Sequence, residues 1–224
     1  MRLLAIDGAT ERASVALWSD GDLLYRERHA STGHGEWLLQ AVRETVSTSG
    51  YALSSLDAVA FGCGPGSFTG LRVVAALVQG LAFGSGLGVI PVSDLEILAE
   101  SERLRGDGDI VAALDARMGE VYWAVFRAAS SRLERITEDV VGAPDRMIPP
   151  EPISTARGVG NAWAAYGDVC TSTGLVPPAV IELPSARHLV RLAVQTCAAG
   201  GGLLPPEAAV PVYIRDRVAH MPRP

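Results

Sequence analysis

The chain has 224 residues, with 19 Lys+Arg against 25 Asp+Glu and a formal net charge of −6. All 19 cations are arginine, which excludes a Schiff-base lysine and a complete G-x-x-x-x-G-K-[ST] phosphate loop. At 48% hydrophobic and 20% charged residues the chain can bury a substantial core, and its acidic balance argues against a free-standing nucleic-acid binder. The three cysteines, Cys63, Cys170 and Cys197, have no C-x-x-C spacing, so neither a disulfide framework nor a zinc ribbon is expected. The opening apolar run reaches Asp7 too soon for a secretory signal, which gives the cytoplasm as the expected location.

In chain order, residues 2–7 form an apolar strand ending in a carboxylate, and 12–18 and 22–28 read as two more strands across the turn Ser19-Asp20-Gly21-Asp22. Trp37, Leu38, Ala41, Val42, Thr45 and Val46 then trace one apolar helical face that Gly50 closes. A short strand at 58–61 feeds the glycine-rich segment 62–70, and a long helix follows over 68–83. From Val73 to Ile90 only Gln79 and Ser85 are polar, close to the length of a membrane span. The glycines at 84, 86 and 88 favour instead a buried helix, a turn and a strand at 88–92. Ser93 or Asp94 caps a helix ending near Arg103, and the polar break Arg105-Gly106-Asp107-Gly108-Asp109 divides the chain into lobes 1–104 and 105–224, with the last segment free to pack back on the first lobe.

The second lobe repeats the first. At a constant offset of 108, Asp7 lies over Asp115, Ala16 over Ala124 and Trp18 over Phe126, and each block reads strand, aspartate, turn, strand. A third strand is expected over 132–141, helices over 161–170 and 185–199, and a weak strand over 179–183. Tandem hairpin-led α/β units predict a duplicated fold with a cleft between the copies.

Three features invite a functional reading. The block Gly64-Pro65-Gly66-Ser67-Phe68-Thr69-Gly70-Leu71-Arg72 sits between a strand and a helix, where backbone N–H groups can cradle an anion. It fits neither G-x-G-x-x-G nor G-x-S-x-G, and a tight packing turn capped by Ser67 or Thr69 remains the alternative. Asp7 and Asp115, ending equivalent strands, are candidate nucleotide contacts or plain turn stabilisers; a nucleotide hairpin wants glycine two residues after the aspartate, and here Gly8 comes one place early. The helix from Phe68 is apolar nearly all round, which suits deep burial, a partner, or both. His29, His34, His188 and His220 show no metal-ligand spacing, and no catalytic base or nucleophile stands out, so no metal and no catalytic residue is assigned.

The run Leu4-Ala5-Ile6-Asp7-Gly8-Ala9-Thr10-Glu11, the glycine block, the run Asp115-Ala116-Arg117-Met118-Gly119-Glu120-Val121-Tyr122 and the tail Pro211-Val212-Tyr213-Ile214-Arg215 together resemble the TsaB (YeaZ) family of tRNA threonylcarbamoyladenosine biosynthesis, in the same order across nearly the whole chain. The resemblance implies an actin-like, sugar-kinase-like ATPase fold built from two ribonuclease-H-like lobes. It implies a non-catalytic subunit that pairs with the catalytic paralogue TsaD and the ATPase TsaE, holds no cofactor of its own (ATP and metal residing in those partners), forms a homodimer when alone, meets tRNA through the complex and has no membrane role. The two helices of the first lobe are then the partner surface, with Trp37, Leu38, Val42, Val46, Leu71, Val74, Ala75 and Val78 as interface residues. Residual anion contacts would fall to Asp7, Gly64, Gly66, Ser67, Thr69, Gly70, Arg72 and Asp115. Two departures from the family pattern, Gly8 where Thr is common and Val74 where glycine often stands, weaken those nucleotide contacts. The competing reading is an autonomous small-molecule kinase or ATPase using Asp7 and Asp115.

Overall fold

The structure, a computed structural model, describes residues 1–30, 32–130, 132–148, 150, 156–172 and 174–214. Arg215 and His220 lie outside the described residues.

Strands β1 (Arg2–Asp7), β2 (Arg12–Ser19) and β3 (Asp22–His29) form an antiparallel meander, and β4 (Ala58–Gly62) and β5 (Gly88–Val92) add to β1 in parallel, giving the order β3-β2-β1-β4-β5. Helix α1 (His34–Ser49) connects β3 to β4, α2 (Phe68–Ser85) connects β4 to β5, and α3 (Asp94–Arg103) leads out of the sheet. The second sheet repeats the plan with β6 (Gly108–Arg117), β7 (Glu120–Ala129), β8 (Arg132–Arg135) and a parallel β10 (Arg157–Val159), in the order β10-β6-β7-β8. The matched order confirms the duplicated ribonuclease-H-like plan. The expected strand over 132–141 is split into β8 and β9 (Val140–Gly142), which pair with opposite ends of β7. Between them the Thr137 hydroxyl, rather than a strand carbonyl, accepts the Val125 amide at 2.9 Å. No strand forms over 179–183: prolines at 177, 178 and 184 deny it ladder donors, and Val180 and Ile181 are exposed.

The two-residue period of the strands sorts their side chains into separate cores. Leu4, Ile6, Val15, Val59 and Phe61 meet Leu38, Val42, Val74 and Val78 of α1 and α2. On the opposite face the small side chains Ala5, Ala16, Ala58 and Ala60 let α5 (Ala186–Ala198) lie close, through Ala186, Leu189, Val190 and Ala193. The second sheet is covered on one face by Leu95, Leu98 and Ala99 of α3 and on the other by α4 (Ala162–Ser172), through Ala162 and Trp163. Helices α3 and α5 pack together, so the layers run α1/α2, first sheet, α5/α3, second sheet, α4.

The packing crosses the division at 104/105. The polar break does join the two sheets, but α3 belongs by its contacts with the second sheet, and α5 with the first. Residues 203–214 also return to the first lobe as a strap. Leu204 forms a two-way bridge with Val89 on the β5 edge, Ala209 enters the α1/α2 core, and the Val212 amide donates to the Cys63 carbonyl at 2.7 Å. The apolar helix also differs from expectation. Only six of the 18 residues of α2 are buried; by length and composition alone it could cross a membrane, yet Val74 and Val78 pack on the sheet while Phe83 is 62% exposed.

Candidate functional site

The end of β1, the end of β4 and the head of α2 meet where a nucleotide would approach in a fold of this type. Here the chain fills the place with its own backbone. An ideal Cβ on Gly66 would lie 2.5 Å from the Ala9 carbonyl oxygen, and one on Gly70 only 2.1 Å from that of Gly8. The glycines therefore allow α2 to press directly onto the β1–β2 turn. The amides follow the same pattern: Ser67 N donates to Ala9 O at 2.7 Å, Gly70 N to the Ser67 hydroxyl, Leu71 N to Ser67 O, and Gly64 N to the Asp94 carboxylate at 2.7 Å. The packing-turn alternative is the one observed, with Ser67 as the cap of α2. Thr69 is exposed beside it.

Arg72 is held against two aromatic rings. Its guanidinium lies 3.8 Å from the centroid of the Phe68 ring, and its Nε donates to the Tyr213 hydroxyl at 2.9 Å, which fastens the strap to the outside of α2. Cation–aromatic contact and a tyrosine partner together occupy the charge expected to face a phosphate.

Asp7 and Asp115 occupy equivalent places, and the Oδ1 of each accepts the amide two residues on, but the rest of their surroundings differ. Asp115 is a turn residue: its Oδ1 accepts from the Arg117 amide and the Tyr166 hydroxyl, and its Oδ2 pairs with Arg117 at 2.9 Å. Asp7 is fully buried, and its Oδ1 accepts from the Ala9 amide at 3.1 Å. Its neighbour is Asp94, also fully buried, and burial raises both carboxyls above the ordinary aspartate range. For Asp94 the nearby charge of Asp7 adds to the rise. Asp94 escaped the sequence reading because a polar residue after a strand reads simply as a helix cap. Its signal was an aspartate directly following the capping Ser93, which already caps α3 by accepting the Leu95 amide.

The cleft between the lobes holds a cavity of about 340 Å³ lined by Cys63, Gly64, Ser93, Arg135, Asp139 and the strap residues Val212 and Ile214. Its cation is already committed: Arg135 pairs with Asp139 and Glu96. Burial, reinforced by Asp94, pushes the Cys63 thiol up to about 12, so it is no nucleophile at neutral pH. Among the described residues no group of three or more His, Cys, Asp or Glu side chains is placed to hold a metal.

The expected partner residues lie on the inner sides of α1 and α2. Leu38, Val42, Leu71, Val74, Ala75 and Val78 are all buried, and Leu38, Val42, Val74 and Val78 pack within their own lobe on the sheet-facing stripes of α1 and α2. Trp37 and Val46 are half-buried against the same core. The open face is the other side of these helices. Along α2 it carries the exposed Ala76, Gly80 and Phe83, with Val73 and Leu77 half-buried at its edge against the same core; Gly35 of α1 meets Val73 there, and the exposed Leu39 lies one turn on.

A family model described as TsaD, tRNA N6-adenosine threonylcarbamoyltransferase, matches residues 28–221. The Escherichia coli K12 tRNA threonylcarbamoyladenosine biosynthesis protein TsaB is 39% identical, over 98% of this chain and 96% of its own. The Haemophilus influenzae protein of the same name is 37% identical over 86% and 85%. The solved structure of YeaZ from Pseudomonas aeruginosa superposes with a TM-score of 0.84 at 37% identity, covering 95% of this chain and 99% of that one. Sequence, two-lobed fold and length thus agree, and the chain belongs to the TsaB (YeaZ) family of tRNA threonylcarbamoyladenosine biosynthesis proteins.

Proposed function

We propose that this chain is a non-catalytic, activating subunit in tRNA threonylcarbamoyladenosine synthesis, docking on a TsaD-like catalytic paralogue through the outer face of α1 and α2. The observation that carries the reading is α2: an apolar helix with two-thirds of its length unburied, whose Ala76, Gly80 and Gly84 recur at every fourth residue on the open side. Apolar surface of this kind is normally covered, and small residues let a second helix approach closely. When no paralogue is present, the same face serves a second copy of the chain.

The filled turn at Gly8–Ala9 supports the non-catalytic half of the proposal, because Gly66 and Gly70 occupy the approach a phosphate would need. In this reading ATP and metal belong to the TsaD-like and TsaE-like partners, tRNA is met through the assembled complex, and the chain works in the cytoplasm. An autonomous kinase using Asp7 and Asp115 gains no support from their geometry: one is sealed against Asp94 and the other is tied to Arg117 and Tyr166.

The test is co-purification with the paralogue, followed by assay of tRNA modification with and without this chain. Copurification and chain-dependent activity are expected. Tight Mg-ATP binding by the isolated chain, measured by calorimetry, would favour the autonomous enzyme.

A further inference from the structure

Two aspartates that form no ion pair among the described residues are buried side by side near the head of α2. Asp7 ends β1 and Asp94 begins α3, and both are fully buried. They meet across Gly62: a Cβ there would lie 2.6 Å from Asp94 Oδ1 and 2.9 Å from Asp7 Oδ1. Each carboxyl uses one oxygen conventionally. Asp7 Oδ1 accepts the Ala9 amide, and Asp94 Oδ2 accepts the Gly64 amide. The remaining oxygens, Asp7 Oδ2 and Asp94 Oδ1, are buried and meet no donor. Two bare carboxylates so placed would carry an unrelieved repulsion in a dry interior.

We infer that Asp7 and Asp94 hold one proton between them, as a carboxylic acid–carboxylate hydrogen bond that fastens the β1–β2 turn to the glycine loop and the start of α3. One hydrogen satisfies both orphaned oxygens and leaves a single negative charge, distributed over the pair. The charged and titratable groups facing the pair do not replace it. Arg12 of β2 acts on Asp7 from a distance while engaged with Glu27 and Glu182. On the Asp94 side stand the Cys63 thiol and, from the second lobe, Asp139, which is paired with Arg135. Glu96, the next acid along α3, is also held by Arg135. The consequence is local: the same two side chains hold Gly64 and Ala9, so the proton keeps the loop that launches α2 seated on the turn.

The sign of the pH effect follows. Unfolded aspartates ionise near pH ~4, whereas the folded pair retains a proton above that, so the bond is present at low pH and its stabilisation declines as pH rises. Asparagine at either position supplies an N–H in place of the proton and keeps an oxygen for Ala9 or Gly64. Thermal unfolding of the full chain is measured from about pH 5 to about pH 8.5 for the native sequence, Asp7→Asn, Asp94→Asn and the double variant. Each single variant is expected to lose the alkaline decline and to unfold about 2–4 °C above the native chain at the high end. The double variant, which sets two amide N–H groups against each other, is expected to unfold below both singles. The infrared carbonyl band of a protonated carboxyl is expected in the native chain and absent from both singles. A native pH profile parallel to that of Asp94→Asn, or no such band, overturns the inference. So does a rise in melting temperature on adding Mg²⁺ that disappears in Asp94→Asn, since a cation would then join the pair.

Discussion

Gly70 rests on Gly8: the carbonyl oxygen of Gly8 lies 2.1 Å from the point where a Cβ on Gly70 would stand. No flexible side chain is involved, so an added methyl group can be accommodated only by moving α2 or the β1–β2 turn. Gly70→Ala is therefore expected to destabilise the chain by about 2–3 kcal/mol, lowering its melting temperature by roughly 5–10 °C despite alanine's better helix propensity. Gly80→Ala, where nothing lies within 4 Å of a new Cβ, should leave the melting temperature equal or higher.

The two faces of α2 separate folding from docking. Val78→Arg places an unpaired charge in the core with Ile6 and Phe61 and should abolish cooperative folding. Ala76→Arg and Gly80→Arg lie on the open face, and should leave thermal unfolding unchanged while weakening binding to the paralogue by at least about tenfold, or ~1.4 kcal/mol. Calorimetric binding of either variant at native affinity would remove this face from the proposed interface.

His188 of α5 provides a pH dependence opposite in sign to that of the aspartate pair. Burial, then the nearby Arg187, Arg191 and Arg12, lowers it to about 4, while an unfolded histidine titrates near ~6.5. Between those values the unfolded chain takes up a proton that the folded chain refuses, so stability falls as pH drops through this window. His188→Leu should flatten that acid limb, removing a loss of roughly 2–3 kcal/mol in denaturant titrations at about pH 4.

Thiol labelling reports on the cleft. With its thiol at about 12, Cys63 is thiolate to only about one part in ten thousand at pH ~8. Alkylation of the folded chain should therefore begin at the partly exposed Cys197, and Cys63 should label only on unfolding. Rapid labelling of Cys63 in the folded chain would mean that Val212 and the strap leave the cleft readily.

The first half of the fold is legible in the sequence because its elements are long and their periods are clean. Runs such as Leu3 to Ile6 and the recurrence of Leu38, Val42 and Val46 leave little choice of structure. The second half is less so: β10 has only three residues, one of them glycine, and it forms because β6 offers a partner edge. The site divides similarly. The glycine block announces a close approach but does not say to what, since a phosphate and the Gly8 carbonyl demand the same missing side chains. Likewise an amphipathic stripe such as that of α1 shows that a face is covered, while only the tertiary packing shows that Leu38 and Val42 are consumed internally and that Leu39 is not. The partnership of Asp7 with Asp94 joins residues far apart in the chain, and neither signals it alone.

The placement of α5 sets an order on synthesis. The face of β1 and β4 formed by Leu3, Ala5, Ala58 and Ala60 emerges early, yet its cover, Leu189, Val190 and Ala193, is translated much later. At about 5–20 residues per second, the roughly 130 residues between Ala60 and Leu189 leave that apolar face waiting for ~6–26 seconds. During that interval the nascent first lobe offers a ready surface for a chaperone, and a ribosome stalled before α5 would yield an aggregation-prone fragment.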